Sequence, residues 1–426
     1  MKREMATIKS LHRPTHLEYQ QRAAIFESTV QKVMKNYFDP NYNGTDWPRR
    51  AKGERDQILA IQDPEAFELA MHELIRSLRT SHTGFFHESV RRVPGRLAIG
   101  ASFRSVESPD GNRWVVQEVH EGGPAHRAGL RPFDELIRSN ERAVRPPEQP
   151  MFPMGAKVNL AVQRGPQELL LTLNIPVPRS RKQPYSEPTS VSFSKLKDCV
   201  GYLKVTIFPG LLGLDVAREI DRAVAALSDC ERLILDLRGH LGGGLGVLRL
   251  MSYLTADKLP IGYTLTRRKA ETSYGKETLR KVDRLPTNLP NFAAILSMAL
   301  KHAGRDPSVA VVSEGLGPKK WHGRLVILAN EHTISAGEMV CAFARENHLA
   351  TIVGNQTAGR LIPGSGFKVG YGYRVILPKA AYITWQGQTF EGRGLVPDVL
   401  VPWSPEEARR GVDNQLNTAV ELVQSL

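Results

Sequence analysis

Cysteine is scarce: Cys199, Cys230 and Cys341 are the only three in 426 residues, too few and too scattered for a disulfide framework or a zinc knuckle. All three read as small core residues. Long apolar runs are also missing. No stretch reaches the about 18 residues of a membrane-crossing helix, and mean hydropathy is −0.29. Residues 1–20 are polar and basic with no apolar centre, which is not the pattern of a secretory signal, so a cytoplasmic location or a mature exported form is expected. Aromatics make up only 7%, and no helix-turn-helix, zinc-finger or RNA-recognition pattern occurs. The excess of 57 Lys+Arg over 44 Asp+Glu, a net +13, is spread along the chain, so it implies a basic surface and not a nucleic-acid site. Without a Walker sequence or His-Glu-x-x-His, neither phosphate nor zinc chemistry has support, and no metal or cofactor is expected.

The most informative stretch is Ala329-Asn-Glu-His-Thr-Ile-Ser335-Ala-Gly-Glu338. The apolar run Leu325–Ala329 predicts a buried strand, and Met339, Val340, Ala342 and Phe343 restart at helical spacing. A serine at such a turn lies at a helix N-terminus, whose free amides favour the oxyanion formed in acyl transfer. The same residues also fit a simple N-cap, with Glu338 completing a capping box. Local sequence leaves both readings open.

In chain order, residues 14–90 predict helices at Leu17–Tyr37 and Pro64–Arg79 with a turn-rich loop Phe38–Trp47 between them, then Ser81-His82 and a strand Gly84–Phe86. Residues 91–176 predict strands Leu97–Phe103, Arg113–Glu118, Glu135–Ile137, Lys157–Gln163 and Glu168–Ile175. The intervening Gly122-Gly-Pro-Ala-His-Arg-Ala-Gly-Leu130 and Asp134-Glu-Leu-Ile137 resemble a PDZ domain. That likeness makes the segment containing Gly100 and Phe103 a candidate for docking a peptide C-terminus by strand addition. Residues 177–198 read as a linker. Residues 199–426 alternate strands and helices, an α/β core, with a basic lid-like insertion at about 265–320 that carries one helical run, Phe292–Lys301. After Leu233–Leu237 comes Arg238-Gly-His-Leu-Gly242-Gly243-Gly244-Leu-Gly246. The dinucleotide-binding spacing fails here, because Val247 and Arg249 stand where the third glycine is required. The turn instead suits backbone amides that approach a ligand atom closely.

In order, Leu78-x-x-Ser-His-Thr83, the PDZ-like segment, Asp236-Leu-Arg-Gly-His-Leu-Gly-Gly243, Ser335-Ala-Gly-Glu338, Gly354-Asn-Gln-Thr-Ala-Gly-Arg360 and Glu391-Gly-Arg-Gly-Leu-Val-Pro-Asp398 resemble the carboxy-terminal processing peptidases and the related tricorn core proteases. The resemblance covers about residues 20–426. It implies a multi-domain α/β protein with a helical N-terminal region, a PDZ-like β-rich domain and a core of the ClpP/crotonase-like spiral type. It also implies that Ser335 is the nucleophile, and that the amide of Ala336 with one from Gly242 or Gly243 forms the oxyanion hole.

The processing-peptidase branch places a lysine base 25 residues after the serine, where this chain has Arg360. Arginine keeps its proton, with a pKa above about 12, so a Ser–Lys dyad needs another lysine, of which Lys368 is the nearest downstream. The tricorn branch uses a Ser-His pair and a glutamate instead, and Ser81, His82 and Glu391 match those pieces. By this likeness His82 is the general base, Ser81 and Glu391 orient it, Glu338 is a structural partner or cap, and Arg360 is an anchor for a substrate carboxylate. The expected activity is that of a serine endopeptidase acting on unfolded chains or C-terminal tails, with a homo-oligomer allowed. Rival readings are a silent peptide-binding scaffold, a Ser-Lys peptidase using another lysine, and a carrier of apolar small molecules.

Overall fold

The apolar runs Leu233–Leu235 and Leu325–Leu328 need cover on both faces, which a parallel sheet between two helical layers supplies. The computed structural model describes residues 14–425 apart from 90–91, 109, 121, 177–189, 210–213, 273, 286–305, 307 and 363. In it these runs lie within a six-stranded sheet ordered Val191–Lys195, Val200–Val205, Arg232–Asp236, Arg324–Ala329, Thr351–Gly354 and Val399–Leu400. The first pair is antiparallel and the other pairings are parallel. Leu233, Leu235, Leu325 and Ile327 pack with residues of helices Leu214–Ala226, Val247–Tyr253 and Ala336–Glu346. Ile234, Val326, Leu328 and Val353 cluster with Ala419 and Val423 of helix Asn414–Ser425. The alternation of strand side chains thus divides one apolar sequence between two layers.

The chain forms two compact units, and this sheet belongs to the one made of residues 92–265, 274–361 and 382–426. That unit also holds an antiparallel six-stranded sheet ordered Ala101–Val106, Arg113–Val119, Glu135–Ser139, Lys157–Arg164 and Gln167–Asn174, with the short strand Arg142–Ala143 also paired to Glu135–Ser139. Three expectations change here. Leu97 and Ala98 end a short helix, Gly95–Ala98, closed by Ile99 N–H donating to Gly95 O at 2.8 Å, so the strand begins only at Ala101. The second half of the expected linker is the edge strand Val191–Lys195, because Val191 is buried and pairs with Val205. In the insertion, Arg280–Val282 and Val309–Val312 pair as strands, and Pro260–Thr266 joins them. The expected helix Phe292–Lys301 lies outside the described residues.

The other unit comprises residues 1–91, 266–273 and 362–381. Helices Tyr19–Asn36, Trp47–Ala60 and Pro64–Arg76 bury Ile25, Phe26, Trp47, Leu59, Phe67 and Met71 against a sheet ordered Gly84–His87, Tyr373–Pro378, Gly364–Gly370. The second of these helices follows the expected Phe38–Trp47 loop and was not anticipated. Its sequence is mostly polar, and only Trp47, Ala51, Ile58 and Leu59 turn inward. Among the described residues no helix is long and apolar enough to cross a membrane.

Candidate active site

Between strand Arg324–Ala329 and helix Ala336–Glu346 the turn is fastened to the glycine-rich turn after Asp236. Thr333 Oγ1 donates to Leu237 O at 2.8 Å and accepts from Asn330 N at 2.9 Å, while Asn330 Oδ1 accepts from Gly239 N at 2.9 Å. Ser335 is the N-cap of the helix, with φ +53° and ψ −113°. A residue with a Cβ adopts positive φ only when its surroundings enforce it. Its N–H donates to Glu338 Oε2 at 3.1 Å, the glutamate half of the expected capping box.

Glu338 does more than cap. It is fully buried, and its carboxylate also accepts from Thr357 Oγ1 at 2.6 Å, Gly359 N at 2.7 Å and Arg360 N at 2.8 Å. Burial pushes its pKa above the usual carboxylate value, and the four hydrogen bonds work against that rise. One side chain therefore ties the serine turn to the 357–360 segment. The next amide, Leu361 N–H, donates to Glu391 Oε2 at 3.0 Å. The Arg360 guanidinium reaches Gln149 Oε1 at 3.2 Å. Burial lowers its pKa while Glu391 and Glu338 raise it.

The glycine turn meets the serine directly. A Cβ on Gly242 would stand 2.8 Å from Ser335 Cβ and 3.1 Å from its Oγ, and one on Gly243 would stand 2.0 Å from Phe208 O. Their φ values are +79° and +131°, so only glycine fits. Gly242 N–H donates to His240 Nδ1 at 2.9 Å, and Gly242 O accepts from Phe208 N at 2.9 Å. His240 is fully buried, tilted against the Phe208 ring at 5.1 Å, and burial brings its pKa down to about 3. It is a neutral imidazole whose acceptor nitrogen fixes the turn. At the root of the turn Arg238 bridges Asp236 (2.8 Å) and Asp413 (2.8 Å). Burial raises the Asp236 pKa, but the charges of Arg238 and Lys204 overcome it and hold the group at about 2.

Ser335, Ala336, Gly242, Gly243, Glu338, Arg360 and Glu391 all lie in one unit. Ser81 and His82 lie in the other, where Ser81 Oγ is 2.9 Å from His82 Nδ1 and His82 has φ +55°. Gly364 of the same unit packs on His82: a Cβ there would meet His82 Cβ at 3.1 Å. Lys368 is exposed on strand Gly364–Gly370. Gly100 has φ +71°, and Phe103 is a core ring 6% exposed and stacked on Phe152 at 6.1 Å, so its side chain packs the module's interior. Sequence reasoning passed over His240 and Thr357. His240 sits inside a quoted motif, but no local signal says that its ring accepts from the backbone two residues on.

Residues 199–401 match the model of peptidase family S41. The chain is 22% identical over 445 residues to a carboxyl-terminal-processing protease of Synechocystis sp., covering 96% of this chain and 88% of the relative. A Streptomyces coelicolor protein named as tricorn protease homolog 2 is 24% identical over 429 residues, covering 92% of this chain and 32% of the relative. Among solved structures, a photosystem II D1 C-terminal processing protease superposes with TM-score 0.56 at 18% identity, covering 94% of this chain and 96% of that one. Mature CPAF complexed with lactacystin gives 0.58 at 13% identity, covering 94% and 97%. The chain is therefore a serine-type peptidase whose residues 199–401 match family S41 and which is similar in sequence to the carboxyl-terminal processing proteases.

Proposed function

We propose that the chain hydrolyses polypeptides through an acyl-enzyme on Ser335, with His82 and not a lysine as the general base. The observation that carries this reading is the strained Ser335 at a helix N-terminus, held against the Gly242–Gly243 turn, combined with an arginine at 360. His82 takes the Ser335 proton as the hydroxyl attacks the scissile carbonyl, then returns it to the leaving amine. The contact between Ser81 Oγ and His82 Nδ1 supports the use of Nε2 for that transfer. Glu391 completes the orienting set. The amides of Gly243 and Ala336 stabilise the oxyanion, while that of Gly242 is committed to His240.

The substrate is an unstructured chain or C-terminal tail. It docks by strand addition on Ala101–Val106, which pairs with Arg113–Val119 and ends the order of its sheet. Labelling with a fluorophosphonate tests the mechanism. Wild type and Lys368→Ala are expected to label, and Ser335→Ala and His82→Ala are not. Wild-type labelling by His82→Ala would remove the histidine from the mechanism. If wild type never labels yet an unstructured peptide binds, the chain is a silent scaffold, a reading that Arg360 also fits.

A further inference from the structure

The cysteines do not behave as three small core residues. Cys341 is buried, and burial holds its thiol far from ionisation. Cys199 is exposed, and its Sγ lies 3.1 Å from that of Cys230, although 31 positions separate them. Register explains the meeting. Val200 pairs with Arg232 at the start of two adjacent parallel strands, about 4.8 Å apart, so the segments entering them run side by side, with Cys199 one residue before its strand and Cys230 two before the other. The Cys199 turn is tight: Asp198 and Cys199 have φ +58° and +50°, and Leu196 N–H donates to Val200 O at 2.8 Å. Gln424 Nε2 holds Asp198 Oδ2 at 3.3 Å.

We propose that Cys199 and Cys230 form a reversible dithiol–disulfide site that staples the base of the strand pair Val200–Val205 and Arg232–Asp236. The sulfurs need to close by only about 1 Å to reach the roughly 2.05 Å of a disulfide. A metal fits less well, although Asp229 adds a third ligand atom within 4.8 Å. Tetrahedral zinc with Zn–S bonds of about 2.3 Å holds its sulfurs roughly 3.8 Å apart, and the Asp229 carboxylate is already paired with Lys195 Nζ at 2.7 Å.

The chemistry needs a small-molecule disulfide as oxidant. Cys199, the accessible thiol, attacks one of its sulfurs as thiolate and expels a thiolate. Cys230 gives its proton to solvent and attacks Cys199 Sγ, expelling the second, so two protein thiols and one disulfide become one protein disulfide and two small thiols. The stapled strands lead, at their far ends, to Thr206–Phe208 and to the Arg238–Gly244 turn, which hydrogen-bond to each other. The staple lies at the opposite end of the strands from the nucleophile, so it acts on stability and leaves peptidase chemistry unchanged. This inference does not depend on the mechanism proposed above.

The test is native incubation of the full chain with oxidised glutathione, then unfolding, alkylation and mass spectrometry. The expected result is loss of two of the three thiols, a linked peptide pair containing Cys199 and Cys230, and full reversal by dithiothreitol. The unfolding temperature should rise by several degrees on oxidation in wild type, and not in Cys199→Ser or Cys230→Ser. Three remaining thiols, a glutathione adduct that stays on Cys199, or a link to Cys341 would each overturn the proposal. So would one zinc per chain that blocks alkylation of both cysteines.

Discussion

Glu338 illustrates how much one side chain can fix. Four donors converge on a carboxylate with no exposure to water, so Glu338→Gln turns an amide NH2 toward groups that need an acceptor. A loss of roughly 3 kcal/mol is expected, read as a lower unfolding temperature together with slower labelling of Ser335. Gly243→Ala acts through sterics: its Cβ would lie 2.0 Å from Phe208 O at φ +131°. The turn must move, and kcat is expected to fall by about 100-fold or more, measured on an unstructured peptide. If Gly243→Ala retains wild-type kcat, its amide is not an oxyanion donor. At this scale the sequence disclosed identities and little geometry. Ser335 and the glycines can be read in sequence as a candidate reactive turn, but the turn that carries the positive φ of Ser335 is held by bonds from Thr333 and Asn330 to a segment some 90 residues away.

Among the elements, the glycine turn depends on His240. Its Nδ1 holds the Gly242 amide, so in the proposed oxyanion hole it is the next amide that serves the developing charge. His240→Leu removes the acceptor, so kcat is expected to fall by about 10- to 100-fold with little change in KM. His240→Asn, which keeps a side-chain acceptor, should recover part of that loss. Equal loss in both variants would assign His240 to packing alone. Strongly periodic elements were legible from sequence: the helix starting at Pro64 and the core strands stand within a few residues of expectation. Trp47–Ala60 was not, because its inward face is four residues wide and most of the rest is charged. Val191–Lys195 was missed because an edge strand needs only one buried residue, Val191, and a partner to read as a strand.

For the molecule as a whole, acid is the expected weakness. Burial holds His240 at about 3 and His120 at about 4 and lowers His332 as well. For His120 and His332, positive charge from Arg96 adds to burial, and the carboxylates Glu118 and, at His332, Glu331 oppose it. His120 and His240 are neutral in the fold above about pH 4, and all three groups are protonated in the unfolded chain below about pH 6.5. Unfolding takes up protons in that window, so their contribution is complete above about 6.5 and is lost as pH falls toward their folded values. The slope approaches 1.4 kcal/mol per pH unit for a fully buried group, roughly the value for His240. Unfolding temperatures from pH 7 to 4 should fall, and less steeply in His240→Asn; an equal slope would show that His240 does not titrate as a buried neutral group. Asp236, held at about 2, adds its loss below about pH 4. Removing residues 414–426 should unfold the core, because Ala419 and Val423 cover Ile234, Val326 and Leu328. A truncated chain with wild-type stability would contradict that layer.

Composition, periodicity and the ordered motifs were enough to determine the α/β class and the likeness to serine peptidases, and to single out Ser335 as a candidate, because each is written in contiguous residues. Which residues meet was decided only by the tertiary structure. Glu338 with Thr357, His240 with Gly242, and Cys199 with Cys230 are brought together by hydrogen-bond register and by the packing of elements distant in the chain. Side-chain identity limits what such pairs can do, but their encounter depends on the close-packed arrangement of the whole fold.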